Sequence, residues 1–260
     1  MASRLKISKT ELKDFLDYKV EQYNTPDFIT DDPISIPHRF KRKEDIEIAG
    51  LLVSTISWGS RKGIVKSGNR MIDILGESPF DFVMSHNKAQ LARFEGFVHR
   101  TFNDTDLAYF IKALKYVYMA KGGVESIFHA HAEKESLQLA INQFKTIFFE
   151  IQHPERTLKH IGDPLKGSAA KKMNMYLRWM VRKDKKGVDF GIWQSIKPSQ
   201  LSCPLDVHSG NVARKLGLLR RKQNDAVALQ ELDRALRQFD NQDPVKYDFA
   251  LFGLGVFESF

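Results

Sequence analysis

An all-α fold of about a dozen helices is what this sequence predicts, and three observations carry that expectation. Apolar residues recur at helical spacing along most of the 260 residues. Alternating Val/Ile/Thr runs and Asn-Gly hairpin signals are nearly absent. The breaks between periodic segments hold the residues that start and stop helices.

Taken in order, Ser8-Lys-Thr-Glu11 reads as a capping box, followed by Leu12, Phe15, Leu16, Val20 and Tyr23 at helical spacing. Asp31, Asp32, Pro33 and Pro37 break the chain ahead of a basic run, His38-Arg-Phe-Lys-Arg-Lys43. Residues 44–57 form a strongly apolar helix, and Trp58-Gly-Ser-Arg61 turns into another with Ile64, Met71, Ile72 and Leu75 inward. Further helices are expected at 79–85, 104–120, 123–132 and 135–150, with Gly122-Gly123 and His153-Pro154 as punctuation. After a basic central stretch, 225–239 is a polar amphipathic helix. The last helix is expected to be capped by Asp243, with Pro244 at its first position. The organisation expected is one domain over 1–260. It divides into two lobes around a central cleft, at about 1–150 and 151–260, with chain ends exchanging between them.

Composition narrows the function classes. Hydrophobic content of 42% and charged content of 28% describe an ordinary soluble globular chain rather than a disordered one. There is no apolar run of about 18 residues and no apolar signal core near the start, so neither a membrane span nor export is expected. A lone cysteine, Cys203, fits a reducing cytoplasm and excludes an intrachain disulfide, an iron–sulfur cluster or a cysteine-rich zinc site within one chain. Flanked by apolar and proline residues with no adjacent base, it reads as a buried, inert thiol. His129 and His131 stand two apart on a helix and face different ways, so no metal is assigned. The chain is expected to be a cytoplasmic monomer without a cofactor.

Charge is concentrated in one place. Residues 162–222 hold 14 Lys and Arg against four Asp, a net of +10, whereas the whole chain nets +8. A local field of that sign is the footprint of a surface that meets phosphates. On a wheel of about 100° per residue, Met173, Tyr176, Leu177 and Met180 form the apolar face of the helix spanning 169–183, with Trp179 at its edge. Lys171, Arg178 and Arg182 fall together as a basic stripe on the far side. Lys172 does not join them. It sits at the border of the apolar face and near the first turn, where desolvation and the positive helix end both lower a lysine pKa. A depressed pKa is what an amine nucleophile needs. Alone, Lys172 is better accounted for by a side chain that lays its stem on the core and its head in water.

The turn ahead of that helix, Gly162-Asp-Pro-Leu-Lys-Gly-Ser-Ala-Ala170, offers free backbone N–H groups and Ser168 to a phosphate. Its Gly-Lys-Ser/Thr ending is missing, so it is no Walker loop. Ser168 as a plain helix N-cap explains it as well. Asp206 likewise starts a helix after Pro204-Leu205, and a capping aspartate stabilises a helix by about 1 kcal/mol with no function implied. That helix carries Asn211, Arg214 and Lys215 toward a phosphodiester path.

The segment Pro204-Leu-Asp-Val-His-Ser-Gly-Asn-Val-Ala-Arg-Lys-Leu-Gly-Leu218 is similar to the Val-Asp-Thr-His-…-Arg-…-Leu-Gly-Leu segment of the helix–hairpin–helix DNA glycosylases, the endonuclease III superfamily. The resemblance spans about 44–257 and points to a bacterial branch with an atypical hairpin. The turn Gly162-Asp-Pro-Leu-Lys-Gly167 stands where Leu-Pro-Gly-Val-Gly is usual, and 34 residues separate Lys172 from Asp206. It implies that Asp206 is the catalytic carboxylate and that Lys172, with Lys171 as the nearest rival, is the nucleophile of a glycosylase with AP lyase activity. It also implies a base pocket near Trp58, Ser60 and Arg61. The DNA grip falls to Lys166, Gly167, Ser168, Lys171, Arg178, His208, Asn211, Arg214 and Lys215, and the partner is double-stranded DNA that is damaged or abasic. Two other classes fit the charge alone, a non-catalytic helical nucleic-acid binder and an RNA-binding or RNA-processing protein.

Overall fold

The computed structural model describes residues 8–260, and these are mostly helical. Helix α1 (Lys9–Tyr23) opens on the expected capping box, with Ser8 and Glu11 each bonding the other's backbone N–H. A short α2 (Asp27–Asp31) and two 3₁₀ turns, each begun by a proline, lead to α3 (Lys43–Thr55). Helix α3 is buried from Asp45 to Thr55. Next come α4 (Arg61–Leu75), capped by Ser60, then α5 (Pro79–Ser85) and α6 (Lys88–Ala92).

One antiparallel hairpin, β1 (Val98–His99) with β2 (Phe102–Asn103), departs from the all-helical expectation. Its strands have two residues each, too short for any alternation to show in the sequence. Helices α7 (Asp104–Ala120), α8 (Val124–Ala130) and α9 (Gln138–Phe148) fall within the expected spans, differing only by a few terminal residues. The central stretch holds α10 (Lys171–Val181) and α11 (Val207–Lys215), followed by α12 (Ala226–Arg237) and α13 (Tyr247–Phe257).

The start of α13 corrects an expectation. Pro244–Lys246 is a separate 3₁₀ turn, and Asp243 makes no capping bond. Its carboxylate accepts instead from Arg182 Nε at 2.9 and 3.2 Å. A guanidinium reaching across the fold is the stronger partner, because it brings a full positive charge to the carboxylate where a backbone N–H brings only a dipole.

Buried apolar side chains form two clusters. The larger runs from Ile34 to Leu201 and adds Val245 and Phe249. The smaller joins both ends of the described chain, with Leu12, Leu16 and Val20 of α1 packed among Cys203, Leu205, Leu229 and Leu254. Helix α10 lies against α3, and Gly50 makes the approach possible: a Cβ there would stand 3.0 Å from Met180 Cε and 3.2 Å from the Tyr176 ring. The chain crosses from the smaller cluster to the larger between Ala169 and Ala170, at the start of α10. Among the described residues no helix is long and apolar enough to cross a membrane.

Candidate functional site

A cavity of about 810 Å³ opens beside the start of α10. Its wall takes Trp58, Ser60 and Arg61 from the α3–α4 turn, Lys171 and Lys172 from α10, Asp206 and His208 from the start of α11, and Phe252 from α13. The expected base-pocket residues and the expected catalytic pair therefore share one space.

Lys172 is placed by two helix ends. Its Nζ donates to the Thr55 carbonyl at 2.9 Å, one of the carbonyls that the C-terminus of α3 leaves without a helical partner. It also lies 4.6 Å from the centre of the Trp58 ring. Both contacts favour the ammonium form, the ring face by about 2 kcal/mol once desolvated. Burial outweighs them, and the Lys171 charge adds to it, so the Lys172 pKa falls to about 8. The expectation of a depressed lysine at this position agrees with the environment found.

The turn that aims Lys172 is strained. Ala170, which begins α10, has φ 44° and ψ 39°, a left-handed conformation that costs a non-glycine residue about 1 kcal/mol or more. Two side chains hold it there. Ser168 Oγ accepts from Ala170 N at 3.0 Å, and Asn174 Nδ2 donates to the Ala169 carbonyl at 2.9 Å. Ser168 therefore shapes the turn from two residues upstream instead of sitting at the N-cap.

Asp206 does cap α11, in an asymmetric way. Its Oδ1 accepts from His208 N at 2.9 Å, Ser209 N at 3.0 Å and Ser209 Oγ at 3.3 Å. None of these bonds uses Oδ2, and the residue lines the cavity. One carboxylate oxygen is thus fixed to the helix end while the other makes no hydrogen bond within the protein.

Behind Trp58 lies a buried polar pair. The His160 ring stacks 6.3 Å from Trp58, its Nε2 is 3.1 Å from Asp106 Oδ2, and His99 Nε2 stands 3.3 Å from the Trp58 carbonyl. Burial drives the His160 pKa down to about 4 against the pull of Asp106, which favours the neutral imidazole.

The expected phosphate grip is only partly brought together. Lys171, Ser168 and His208 line the cavity. Lys166 and Gly167 are exposed on the adjoining turn, and Asn211 and Lys215 are exposed farther along α11. Arg178 is a correction. It is 4% exposed, donates from Nε to Asp189 at 3.1 Å and pairs with Asp248. Arg182 behaves alike, buried against Asp184, Asp189 and Asp243. Two of the three residues of the stripe seen on the wheel are therefore internal, because carboxylates from the following loop and from the distant start of α13 fold onto them. Arg214 is a second correction. Its guanidinium turns inward to the Arg221 and Gln223 carbonyls and to Asn224 Oδ1, at 2.8, 3.3 and 2.6 Å.

Several wall residues were not foreseen. Asp32 is buried in the wall, its pKa raised by burial, and the sequence showed it only as part of an Asp-Pro break. Lys159, Asn224 and Phe252 also line the cavity. Cys203 is buried as expected, with Sγ 3.7 Å from Asp248 and its thiol pKa pushed up by burial. Among the described residues no group of three or more His, Cys, Asp or Glu is placed to hold a metal ion.

Comparison with curated proteins and with solved structures found no match. Residues 32–257 match the family model described as "Protein of unknown function (DUF2400)", a span that holds every wall residue discussed above, and the chain belongs to that family.

Proposed function

We propose that this chain is a DNA glycosylase with AP lyase activity, arranged like the helix–hairpin–helix enzymes and acting on damaged or abasic duplex DNA. One observation carries the reading. Lys172, with a pKa near 8, and Asp206, with one carboxylate oxygen uncommitted, come from different helices and line the same cavity beside Trp58. A depressed lysine paired with a carboxylate in a cleft is the arrangement expected of a nucleophile and its proton-transfer partner.

In this reading the damaged nucleotide leaves the stack and enters the cavity, where Trp58 offers a flat face to the base. The neutral Lys172 amine bonds to C1′ as the glycosidic C1′–N bond breaks, and the base leaves with the bonding pair and takes a proton from water. Asp206 stabilises the positive charge that builds on the sugar and takes the proton lost by the amine. Asp206 then gives that proton to O4′ as the C1′–O4′ bond breaks, which opens the sugar ring and yields a C1′ iminium. Loss of a C2′ proton from this intermediate expels the 3′ phosphate, and water then releases the lysine. Lys166 and Lys171 meet the backbone phosphates at the rim.

The test is Asp206→Asn. An asparagine oxygen still accepts from His208 N and Ser209 N, so the helix keeps its cap and the melting temperature stays close to wild type. Base release from lesion-bearing duplexes should fall roughly 100-fold or more with the carboxylate charge gone. Full excision by the variant, or its unfolding, would reduce Asp206 to a structural cap.

A further inference from the structure

The segment 221–226 bonds the backbone of Asp206 and the turn that precedes Lys172. Asn224 Nδ2 donates to the Asp206 carbonyl at 2.8 Å. The orientation of that amide is fixed, because Arg214 Nη2, which can only donate, bonds Asn224 Oδ1 at 2.6 Å. The amide lies against Gly210, where a Cβ would come within 2.7 Å of Asn224 Oδ1, so only glycine leaves it room. Two residues on, Ala226 N donates to the Gly167 carbonyl at 3.0 Å, and Ser168 forms an antiparallel bridge with Asp225. Asp225 is itself held by Arg221 Nε at 2.7 Å and caps α12 through Ala228 N at 3.0 Å. Ser168, at the other end of that bridge, fixes the left-handed Ala170 from which Lys172 projects.

We propose that this 221–226 strap is a positioning element: Asn224 holds the backbone of Asp206, while Asp225 and Ala226 hold the turn that carries Lys172. Two groups 34 residues apart in sequence are thereby referenced to points two residues apart on one strap, a span of about 7 Å at full extension. Asn224 lines the cavity, but its oxygen and one N–H are engaged by protein groups, so it acts through Asp206. The strap's role in catalysis rests on the glycosylase reading; its role as a link does not.

Two variants cut the strap without unfolding it. Ala226 is the first residue of α12, a position that tolerates proline, and Asp225 before it is already extended (φ −117°, ψ −176°). Ala226→Pro therefore deletes the bond to Gly167 and leaves the helix intact. Asn224→Asp keeps an acceptor for Arg214 and loses the N–H that Asp206 uses. Each should lower single-turnover base release roughly 10- to 100-fold, the scale of a misplaced reacting group, with affinity for abasic duplex and melting temperature near wild type. In DNA-free protein each should also speed amide hydrogen exchange in both 206–210 and 167–172, since one strap serves both. Wild-type rates in both variants overturn the positioning role. So does a parallel loss of affinity and stability, which would make the segment a plain fold element. If wild type releases no base from a broad lesion panel, it is the glycosylase reading that falls, and unchanged exchange in either segment would sink the link itself.

Discussion

The depressed pKa of Lys172 converts into a pH profile whose midpoint can be worked from its surroundings. At pH 7 an ordinary lysine near 10.5 is neutral in about one molecule in 3,000, whereas a lysine near 8 is neutral in about one in ten, roughly 300-fold more nucleophile. Trapping of the covalent intermediate on abasic duplex should therefore rise tenfold per pH unit up to about pH 8 and level off above it. Lys171→Gln removes the second cause of the shift, the neighbouring charge, and leaves burial, so its midpoint moves up but not to that of a free lysine. Trp58→Ala admits water and should move the midpoint farther. The ring's own attraction for the ammonium is worth about 2 kcal/mol at a desolvated site. The whole displacement of the pKa is worth about 3 kcal/mol. Losing the burial thus outweighs losing the ring. The assay is single-turnover trapping with borohydride from pH 6 to 10. A wild-type rate that keeps climbing tenfold per unit to pH 10 would refute a lysine buried in this way.

Three further outcomes are expected. Lys166→Ala and Lys171→Ala should weaken DNA affinity, and each should flatten the dependence of log K on log salt by about 0.9 for every phosphate the variant no longer neutralises. Arg178→Met should act differently, destabilising the fold by about 3–5 kcal/mol because it strands Asp248 as a buried charge and leaves Asp189 to Arg182 alone; urea unfolding and filter binding separate the two effects. His160, packed among Asp106, Lys159 and Lys172, is held neutral with a pKa near 4, while the unfolded chain takes up that proton near 6.5. Stability should therefore fall as pH drops from about 6.5 to 4, by about 3 kcal/mol at the limit, and His160→Gln should lose that part of the fall in urea melts. Equal falls in the two proteins would contradict it.

What could be read from the sequence was local. Helices α3, α5, α7, α10 and α11 are set by spacing and capping within a few residues, and periodicity and capping see that far. The separation of Lys172 from Lys171 on the wheel was legible for the same reason. Arg178 and Arg182 were not, because a wheel sorts polar from apolar without saying which polar side meets water. Their partners, Asp189, Asp243 and Asp248, arrive from as far as 70 residues along the chain. Asp243 failed as a cap by the same long-range pairing. Asp32, Asn224 and Phe252 reach the cavity from three separate segments, and no short pattern marks a residue whose role is set by such a meeting. The β1–β2 hairpin was missed because two residues per strand carry no period.

Covalent capture tests the proposed chemistry most directly. Wild type incubated with abasic or lesion-bearing duplex and borohydride should give a stable protein–DNA band on a denaturing gel, since borohydride reduces an iminium to an amine. Lys172→Gln should lose the band while keeping most of its DNA affinity, and Lys171→Gln should bind more weakly yet still trap at saturating protein. An exchange of those two patterns would make Lys171 the nucleophile. No wild-type band across a broad lesion panel would contradict the lyase and leave a glycosylase that uses water, or a protein that binds nucleic acid without chemistry.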